Sequence, residues 1–374
     1  MLFGVKMNRL ALGILVLSIL SPLAQAREKW TPEQSQVWGR GKPWLVGCNF
    51  SPSTAINQLE MWQADTFDLK TIDRELGWAE GLGFTSVRVF LHDLLWKQDS
   101  AGFLARMDQF LDVAAKHHIG VDFVLFDSCW DPHARLGRQR EPKKGLHNSG
   151  WVQSPGMDLL TQPARWEAEL KPYVVGVVSR FKDDKRVHFW EPINEPDNTN
   201  GSSYGSQEPR DKPEMVRQLL IKVYGWAREA NPSQPITSGP WLGDWADPAK
   251  LSPMEQVQLN ESDIISFHSY GTLDKMTACV DHLRRYNRPI LCTEYMARPN
   301  GSTFDPILGY LKEQNVGAYN WGFVAGKTNT IYAWDTWKKP ADAEPKIWFH
   351  DIFRPDGTPF SDQEVKYIRR VTGR

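Results

Sequence analysis

Two glutamates that follow apolar runs are the residues of this sequence best suited to chemistry. Glu195 closes the run 187–195 and Glu294 closes the run 289–294. Each run is typical of a short buried strand with a carboxylate at its carboxyl end. A parallel β/α barrel builds its active site at that end of its strands. Two carboxylates that face one cavity can cleave a glycosidic bond, because one donates a proton while the other attacks the sugar or activates water.

Neither glutamate is informative alone. Asn194-Glu195-Pro196 is a weak signal, because the same tripeptide also fits a turn at a strand end. Its place after one predicted strand, paired with a glutamate that closes a later strand, is a much stronger signal. Closely spaced carboxyls also push their pKa values apart, which would separate the acid from the nucleophile.

Strand-like runs alternate with helical periods along the chain, which predicts an α/β fold, a (β/α)8 TIM barrel with long βα loops at its C-terminal face. Eight strands are predicted, at 44–49, 85–90, 121–126, 188–193, 235–238, 264–268, 290–293 and 318–321. Helices are predicted at 69–82, 103–118, 163–182, 213–230, 274–286 and 305–314. Ser361, with Glu364 three residues later, forms a capping box that opens a last helix.

Three long connections are predicted to surround the mouth of the barrel. They run over 127–161, 197–212 and 324–348, after the third, fourth and eighth predicted strands. Loops of this length within a compact domain usually serve function. If they close the cleft into a pocket, they favour an enzyme that acts on chain ends or short oligosaccharides. The 17 tryptophans could stack on sugar rings, or most could pack in the core.

Composition narrows the possible partners. A chain of 374 residues suits one catalytic barrel domain at 27–374, and its net charge of −1 argues against nucleic acid as a partner. The four cysteines contain no C-x-x-C motif, and no histidine pair has metal-ligand spacing, so neither a metal site nor a cofactor is predicted. The pairing of the cysteines and the oligomeric state stay open.

Residues 1–26 are predicted to be a signal peptide. Lys6 and Arg9 precede an apolar stretch at 10–20 that is too short to span a bilayer, and Ala24-Gln25-Ala26 fits a cleavage site. We therefore expect removal after Ala26, export to the periplasm or the extracellular space, and no membrane contact afterwards. An uncleaved membrane anchor is the alternative.

The sequence resembles clan A of the glycoside hydrolases, and within it the cellulase-like family 5 group. The motifs are Asn194-Glu195-Pro196 and Thr293-Glu294-Tyr295, at the ends of the fourth and seventh predicted strands, and the likeness extends over the mature chain through strand order. The resemblance implies a retaining mechanism with Glu195 as acid and then base, and Glu294 as nucleophile. The implied substrate is a plant- or microbe-derived β-linked oligo- or polysaccharide of the β-glucan, xylan or mannan type.

Further matches imply roles in substrate binding. Arg88 resembles the arginine that braces the nucleophile, although an ion pair with Asp93 at the core edge is an alternative. Asn194 matches the residue that binds the sugar 2-hydroxyl, and Trp321 matches the tryptophan that forms the floor of the sugar site. His268 and Tyr270 match a pair on the sixth strand, in which Tyr270 would donate a hydrogen bond to the nucleophile. His268 could instead be a satisfied core histidine.

Two segments depart from the family pattern. Asp127 and Trp130 lie in a stretch that does not match its third strand, and they are candidate sugar contacts. Glu60 and Trp62 could contact a terminal sugar or simply begin a helix. Three other functions therefore stay open: a transglycosylase of the same mechanism, a non-catalytic saccharide-binding barrel, and a metal-dependent barrel hydrolase.

Overall fold

The computed structural model describes Met1, Phe3, Gly4 and residues 26–374, so the predicted signal peptide lies almost wholly outside the described residues. The strands are β1 (Val46–Asn49), β2 (Ser86–Phe90), β3 (Gly120–Asp127), β4 (Val187–Asn194), β5 (Ile265–His268), β6 (Ile290–Tyr295) and β7 (Gly317–Asn320). The α-helices are α1 (Pro32–Arg40), α2 (Gln58–Trp62), α3 (Leu69–Gly81), α4 (Asp93–Lys116), α5 (Met157–Leu160), α6 (Pro163–Glu169), α7 (Lys171–Phe181), α8 (Lys212–Glu229), α9 (Pro253–Glu261), α10 (Leu273–Leu283), α11 (Phe304–Glu313) and α12 (Asp362–Thr372). Short 3₁₀ helices cover Gly205–Gln207, Pro248–Lys250, Arg284–Tyr286, Arg298–Asn300 and Trp334–Trp337.

All strand pairs are parallel, and the order around the sheet is β4-β3-β2-β1-β7-β6-β5. Every residue of these strands is buried, as expected for a parallel sheet covered by helices on its outside. The predicted (β/α)8 barrel is confirmed. Since parallel strands end on the same side, Glu195 after β4 and Glu294 within β6 are brought to one face.

The predicted strand at 235–238 is reduced to a single bridge between Ile236 and Trp190 of β4. Its backbone still bonds to both neighbours: Trp190 N–H donates to Pro235 O, and Asp263 N–H donates to Ile236 O. Prolines at 235 and 240 have no N–H to donate to a ladder. Between them, the N–H groups of Ile236 and Ser238 donate to side-chain oxygens, at Asp263 and Ser262, instead of to a neighbouring strand. The segment 235–240 therefore closes the barrel between β4 and β5 through few hydrogen bonds, and we call it the seam.

A continuous apolar cluster fills the space between the strands and the surrounding helices. Helix α3 contributes Ile72, Leu76 and Ala79 from one face, which is the spacing read from the sequence. A second cluster fills the barrel near the amino ends of the strands; it comprises Leu45, Phe189, Ile264, Leu291 and Tyr319. Ser361 accepts the N–H of Glu364 and begins α12. Among the described helices, none has the length and apolar character that crossing a bilayer requires.

The three long loops meet over the barrel mouth. We call them the β3 loop (128–156), the β4 loop (195–211) and the β7 loop (321–361). The β3 and β7 loops are joined where Trp337 Nε1–H donates to His147 O at 2.8 Å, and where Ala341 N–H donates to Gly145 O at 2.9 Å. Tyr204 of the β4 loop packs edge-on against Trp337, with 5.1 Å between ring centroids. The predicted arrangement of loops around one mouth is therefore what the fold shows.

Candidate active site

Glu195 and Glu294 face each other at the carboxyl ends of β4 and β6. Both side chains are buried, with residue exposures of 8% and 4%. One carboxylate oxygen of each, together with a ring nitrogen of His268, lies within 4.8 Å of the other two atoms. Retaining glycosidases hold their carboxyls about 5 to 5.5 Å apart, while inverting enzymes need about 6.5 to 9.5 Å to admit water. The observed separation leaves room for direct attack and none for an intervening water.

Arg88 of β2 is fully buried beneath the two glutamates and uses all five N–H donors. Nε and Nη2 bind the two carboxylate oxygens of Glu191, each at 2.8 Å. Nη1 donates to Glu294 Oε1 at 2.8 Å and to Asn49 Oδ1, and Nη2 donates to Asn194 Oδ1 at 2.7 Å. The alternative partner Asp93 instead accepts the Ser154 hydroxyl. A guanidinium held by five hydrogen bonds to four residues fixes the position of Glu294 before any ligand arrives.

Asp127 positions its neighbours through hydrogen bonds. Its Oδ1 accepts Nδ2–H of Asn194 at 3.0 Å, and its Oδ2 accepts the indole N–H of Trp151 at 2.7 Å. The amide of Asn194 is therefore held at both ends, by Asp127 and by Arg88. Burial raises the pKa of Asp127, and these donors oppose the rise.

Glu294 receives a second donor from the loop after β5. The Tyr270 hydroxyl donates to Glu294 Oε2 at 2.7 Å, as the resemblance implied. Burial raises the pKa of the Glu294 carboxyl, while His268, the Arg88 charge and the Tyr270 hydrogen bond oppose that rise. A cation and a hydroxyl on the same carboxylate favour its ionised form, which a nucleophile requires.

Glu195 has neutral partners. Asn198 Nδ2–H and the Cys129 thiol both donate to its Oε2, at 2.8 Å and 3.3 Å. Burial raises the pKa of Glu195, and no cation contacts this carboxyl directly among the described residues. The two glutamates thus differ in the way an acid and a nucleophile should, because only Glu294 is paired with a guanidinium.

His268 lies between the two carboxyls. Its Nδ1 is 2.9 Å from Glu195 Oε1 and 3.4 Å from Glu294 Oε2. Burial lowers the pKa of this imidazole, which favours its neutral form, and Nδ1 can hydrogen-bond to only one of the two carboxyls at a time. This placement does not fit the alternative of a satisfied core histidine, since its Nε2 has no partner among the described residues.

A cavity of about 550 Å³ opens above the two glutamates. The predicted residues that line it are Asp127, Trp130, Asn194, Glu195, Tyr270, Glu294 and Trp321. Sequence reasoning did not assign the other lining residues to the site, and they include Cys129, Asn148, Trp151, Asn198, Trp241 and Trp334. Their loops were expected at the mouth, but no local pattern separates one loop tryptophan or asparagine from another. Arg88 and His268 lie behind the lining rather than in it.

The sugar contacts predicted for Glu60 and Trp62 are not found in the structure. Trp62 is fully buried, stacks on Phe67 with 5.9 Å between ring centroids, and donates its indole N–H to Phe90 O. Glu60 forms an ion pair with Lys327 at 2.6 Å and does not line the cavity. Both belong to the short helix α2, which was the alternative interpretation; Trp62 is too deeply buried to contact a sugar, and Glu60 lies outside the lining of this cavity.

Glu195, His268 and Glu294 have ligand atoms close enough to hold a metal ion. The Arg88 guanidinium lies 2.8 Å from Glu294 and already supplies a positive charge there. A second cation beside it would be repelled, so the set fits a hydrogen-bonded acid and nucleophile better than a metal centre. The four cysteines are buried free thiols.

No protein-family model matches the sequence, and no curated protein matches it. Solved structures do match. A GH5_18 structure from Streptomyces cattleya in complex with GlcNAc superposes with a TM-score of 0.58 at 14% identity, over 87% of this chain and 80% of that one. The chain shares its fold. An exo-β-1,4-mannosidase from an Opitutaceae bacterium has a TM-score of 0.56 at 18% identity, over 88% and 59% of the two chains. A β-1,4-mannanase from the sea hare Aplysia kurodai has a TM-score of 0.52 at 15% identity, over 74% and 87%.

These matches agree with the resemblance to family 5 that the sequence suggested. At such identities the likeness establishes the fold, and the chemistry has to be argued from this chain's own side chains.

Proposed function

We propose that the protein is a retaining β-glycoside hydrolase with Glu195 as acid and base and Glu294 as nucleophile. The observation that supports this most is the approach of the two carboxylates to within 4.8 Å at the floor of the cavity. Their unequal surroundings support the assignment of roles, because Arg88 and Tyr270 both bind Glu294.

In the first step, Glu294 attacks the anomeric carbon while Glu195 gives its proton to the departing oxygen. This forms a covalent glycosyl-enzyme. In the second step, the Glu195 carboxylate takes a proton from water, the resulting hydroxide attacks the anomeric carbon, and Glu294 leaves as a carboxylate. Arg88 and the Tyr270 hydroxyl stabilise the charge that returns to Glu294. If a sugar hydroxyl replaces water, the same intermediate gives transglycosylation.

A mannan-type substrate is favoured among the β-glucan, xylan and mannan types. The support is that two of the matched structures are a β-1,4-mannosidase and a β-1,4-mannanase. The aromatic lining, with Trp130, Trp321 and Trp334 at one cavity, suits stacking on the apolar face of a sugar ring. Export through residues 1–26 belongs to the same proposal, and amino-terminal sequencing of the secreted protein tests it.

The test uses 4-nitrophenyl β-mannoside, β-glucoside and β-xyloside, together with the corresponding polysaccharides. Wild type should release 4-nitrophenol from at least one glycoside, and Glu294→Ala should abolish turnover. Glu195→Gln should lower turnover by about 10²- to 10⁴-fold on polysaccharide, and far less on aryl glycosides whose leaving groups need little protonation. Glu214→Gln, on the exposed face of α8, is the matched control.

Wild-type rates in both variants would refute the assignment of roles. Sugar binding by the wild type, with no reducing sugar released from any substrate, would instead indicate a saccharide-binding barrel.

A further inference from the structure

Asn148 of the β3 loop presents an unused amide to the cavity. The residue is 1% exposed, and neither its Oδ1 nor its Nδ2 has a hydrogen-bond partner among the described residues. It also lines the cavity that contains Glu195 and Glu294. Buried amides are nearly always hydrogen-bonded, because leaving one unpaired is costly. An amide that is shielded by protein yet borders a cavity therefore points to a ligand that supplies its partners.

Main-chain hydrogen bonds fix the backbone of Asn148. The Asn148 N–H donates to Thr328 O at 2.9 Å, and the Trp151 N–H donates to Asn148 O at 3.4 Å. Its φ of +47° is a left-handed conformation, which asparagine tolerates better than most residues. A backbone fixed from both loops aims the amide in one direction.

Asn148 also lies beside the proposed sugar floor. Trp151 packs edge-on against Trp321, with 6.0 Å between ring centroids, and Trp321 is the residue that the resemblance assigns to that floor. A sugar stacked on Trp321 would expose its hydroxyls around the ring edge. Each hydroxyl both donates and accepts hydrogen bonds, which matches an amide that offers both kinds of atom.

The joined β3 and β7 loops form a wall at this end of the cavity. Asn329 Nδ2–H donates to Lys143 O and Leu146 O across the two loops, in addition to the bonds at Gly145 and His147. Another part of the rim is open, since Leu242 is 44% exposed and Gly201 and Ser202 of the β4 loop are exposed as well. A polysaccharide could extend past this open rim but not through the wall.

We propose that the wall receives the non-reducing end of the substrate, that the Asn148 amide binds hydroxyls of this terminal sugar, and that the enzyme releases single sugars. The proposal rests on the proposed glycosidase function and adds the end of the chain on which the enzyme acts, together with the residue that recognises it.

The first experiment replaces Asn148 with glycine, which accepts the positive φ and removes the side chain with its amide. Asn231→Gly is the matched control, because Asn231 has a φ of +53° and is exposed after α8, outside the cavity lining. On the best aryl glycoside, kcat/KM of Asn148→Gly should fall by about 10- to 100-fold, as expected for losing bonds to sugar hydroxyls. The control should stay within about twofold of wild type.

If circular dichroism shows that Asn148→Gly is unfolded, Asn148→Asp decides instead, since it keeps the shape and removes the donors. It should show a loss of the same size. Wild-type kcat/KM in a folded Asn148 variant would overturn the role of the amide.

The second experiment follows manno-, gluco- and xylopentaose, each labelled at the reducing end. Early products should be the labelled tetrasaccharide and a free monosaccharide. Early formation of a labelled di- or trisaccharide would indicate cleavage at an internal bond. It would refute the proposal that the wall closes the cavity behind one terminal sugar. Failure of the proposed glycosidase function would look different. Wild type would then cleave neither aryl glycosides nor pentasaccharides, and both proposals would be refuted.

Discussion

Replacement of Tyr270 by phenylalanine isolates one hydrogen bond of the proposed mechanism. The hydroxyl donates to Glu294 Oε2 at 2.7 Å, while the ring packs edge-on against Trp334 with 5.0 Å between centroids. Phenylalanine keeps the ring and its packing, so the fold should survive. The change removes one hydrogen-bond donor to Glu294, the residue that must leave the sugar as a carboxylate in the second step.

The magnitude follows from the charge on Glu294. A hydrogen bond to a fully charged group contributes about 1.5 to 3 kcal/mol. In the transition state for departure the charge is only partly formed, so about half of that, roughly 0.75 to 1.5 kcal/mol, is lost. At about 1.36 kcal/mol for each tenfold change in rate, the second step should slow by about 3.5- to 13-fold. The first step should change less, because the attacking carboxylate loses charge as it reacts.

The assay is stopped-flow release of an aryl leaving group. Tyr270→Phe should show a burst of about one equivalent followed by a slower steady state, with kcat and KM both lowered. The Tyr270 hydroxyl also lowers the pKa of Glu294, so its removal raises that pKa. Because Glu294 must be ionised to attack, the acid limb of kcat/KM against pH should move to higher pH.

Tyr310→Phe, at a partly buried tyrosine of α11, is the matched control and should behave as wild type. Absence of a burst, together with an unmoved acid limb, would refute the role given to Tyr270.

Three other predictions concern the core, the barrel interior and the site. Trp62→Ala should lower the free energy of unfolding in urea by about 3 to 5 kcal/mol, because it empties a fully buried site; a cost below about 1 kcal/mol would contradict its core position. Burial raises the pKa of Asp122 from 3.8 to about 8. Between these two pH values the folded state keeps a proton that the unfolded state loses. The unfolding free energy should therefore fall as pH rises from about 4 to 8. Asp122→Asn should remove that decline, and equal wild-type unfolding free energies from urea titrations at pH 5 and pH 8 would contradict the prediction. Dialysis against EDTA should leave activity unchanged, whereas a loss restored by added divalent ions would show that Glu195, His268 and Glu294 hold a metal.

The sequence predicted the repeating units of the barrel well, because buried strands and amphipathic helices carry their own periodicity. The predicted helix at 69–82 is α3 (Leu69–Gly81), and the predicted strand at 290–293 is β6 (Ile290–Tyr295). Short helices such as α2 gave no periodic signal. At the seam, the apolar residues indicated a strand, but the flanking prolines removed the donors that a ladder needs.

The site could be predicted best where position in a strand decides the direction of a side chain. Glu195 and Glu294 were found because the carboxyl ends of parallel strands share a face. Glu191 was read as part of an apolar run, although its carboxylate binds Arg88 inside the barrel. For Trp62, a sugar contact and the start of a helix both stayed open, and Asn148 was not singled out, because the direction in which these side chains turn depends on partners far along the chain.

The seam has a consequence for every variant at the glutamates. Main-chain bonding is sparse between β4 and β5, and there a side-chain contact, Glu195 Oε1 to His268 Nδ1 at 2.9 Å, spans the same gap. The contact that positions the proposed acid therefore also helps to hold β4 beside β5. A substitution at Glu195 can loosen the barrel wall as well as remove a proton, so local amide exchange at residues 235–240 should accompany each kinetic measurement.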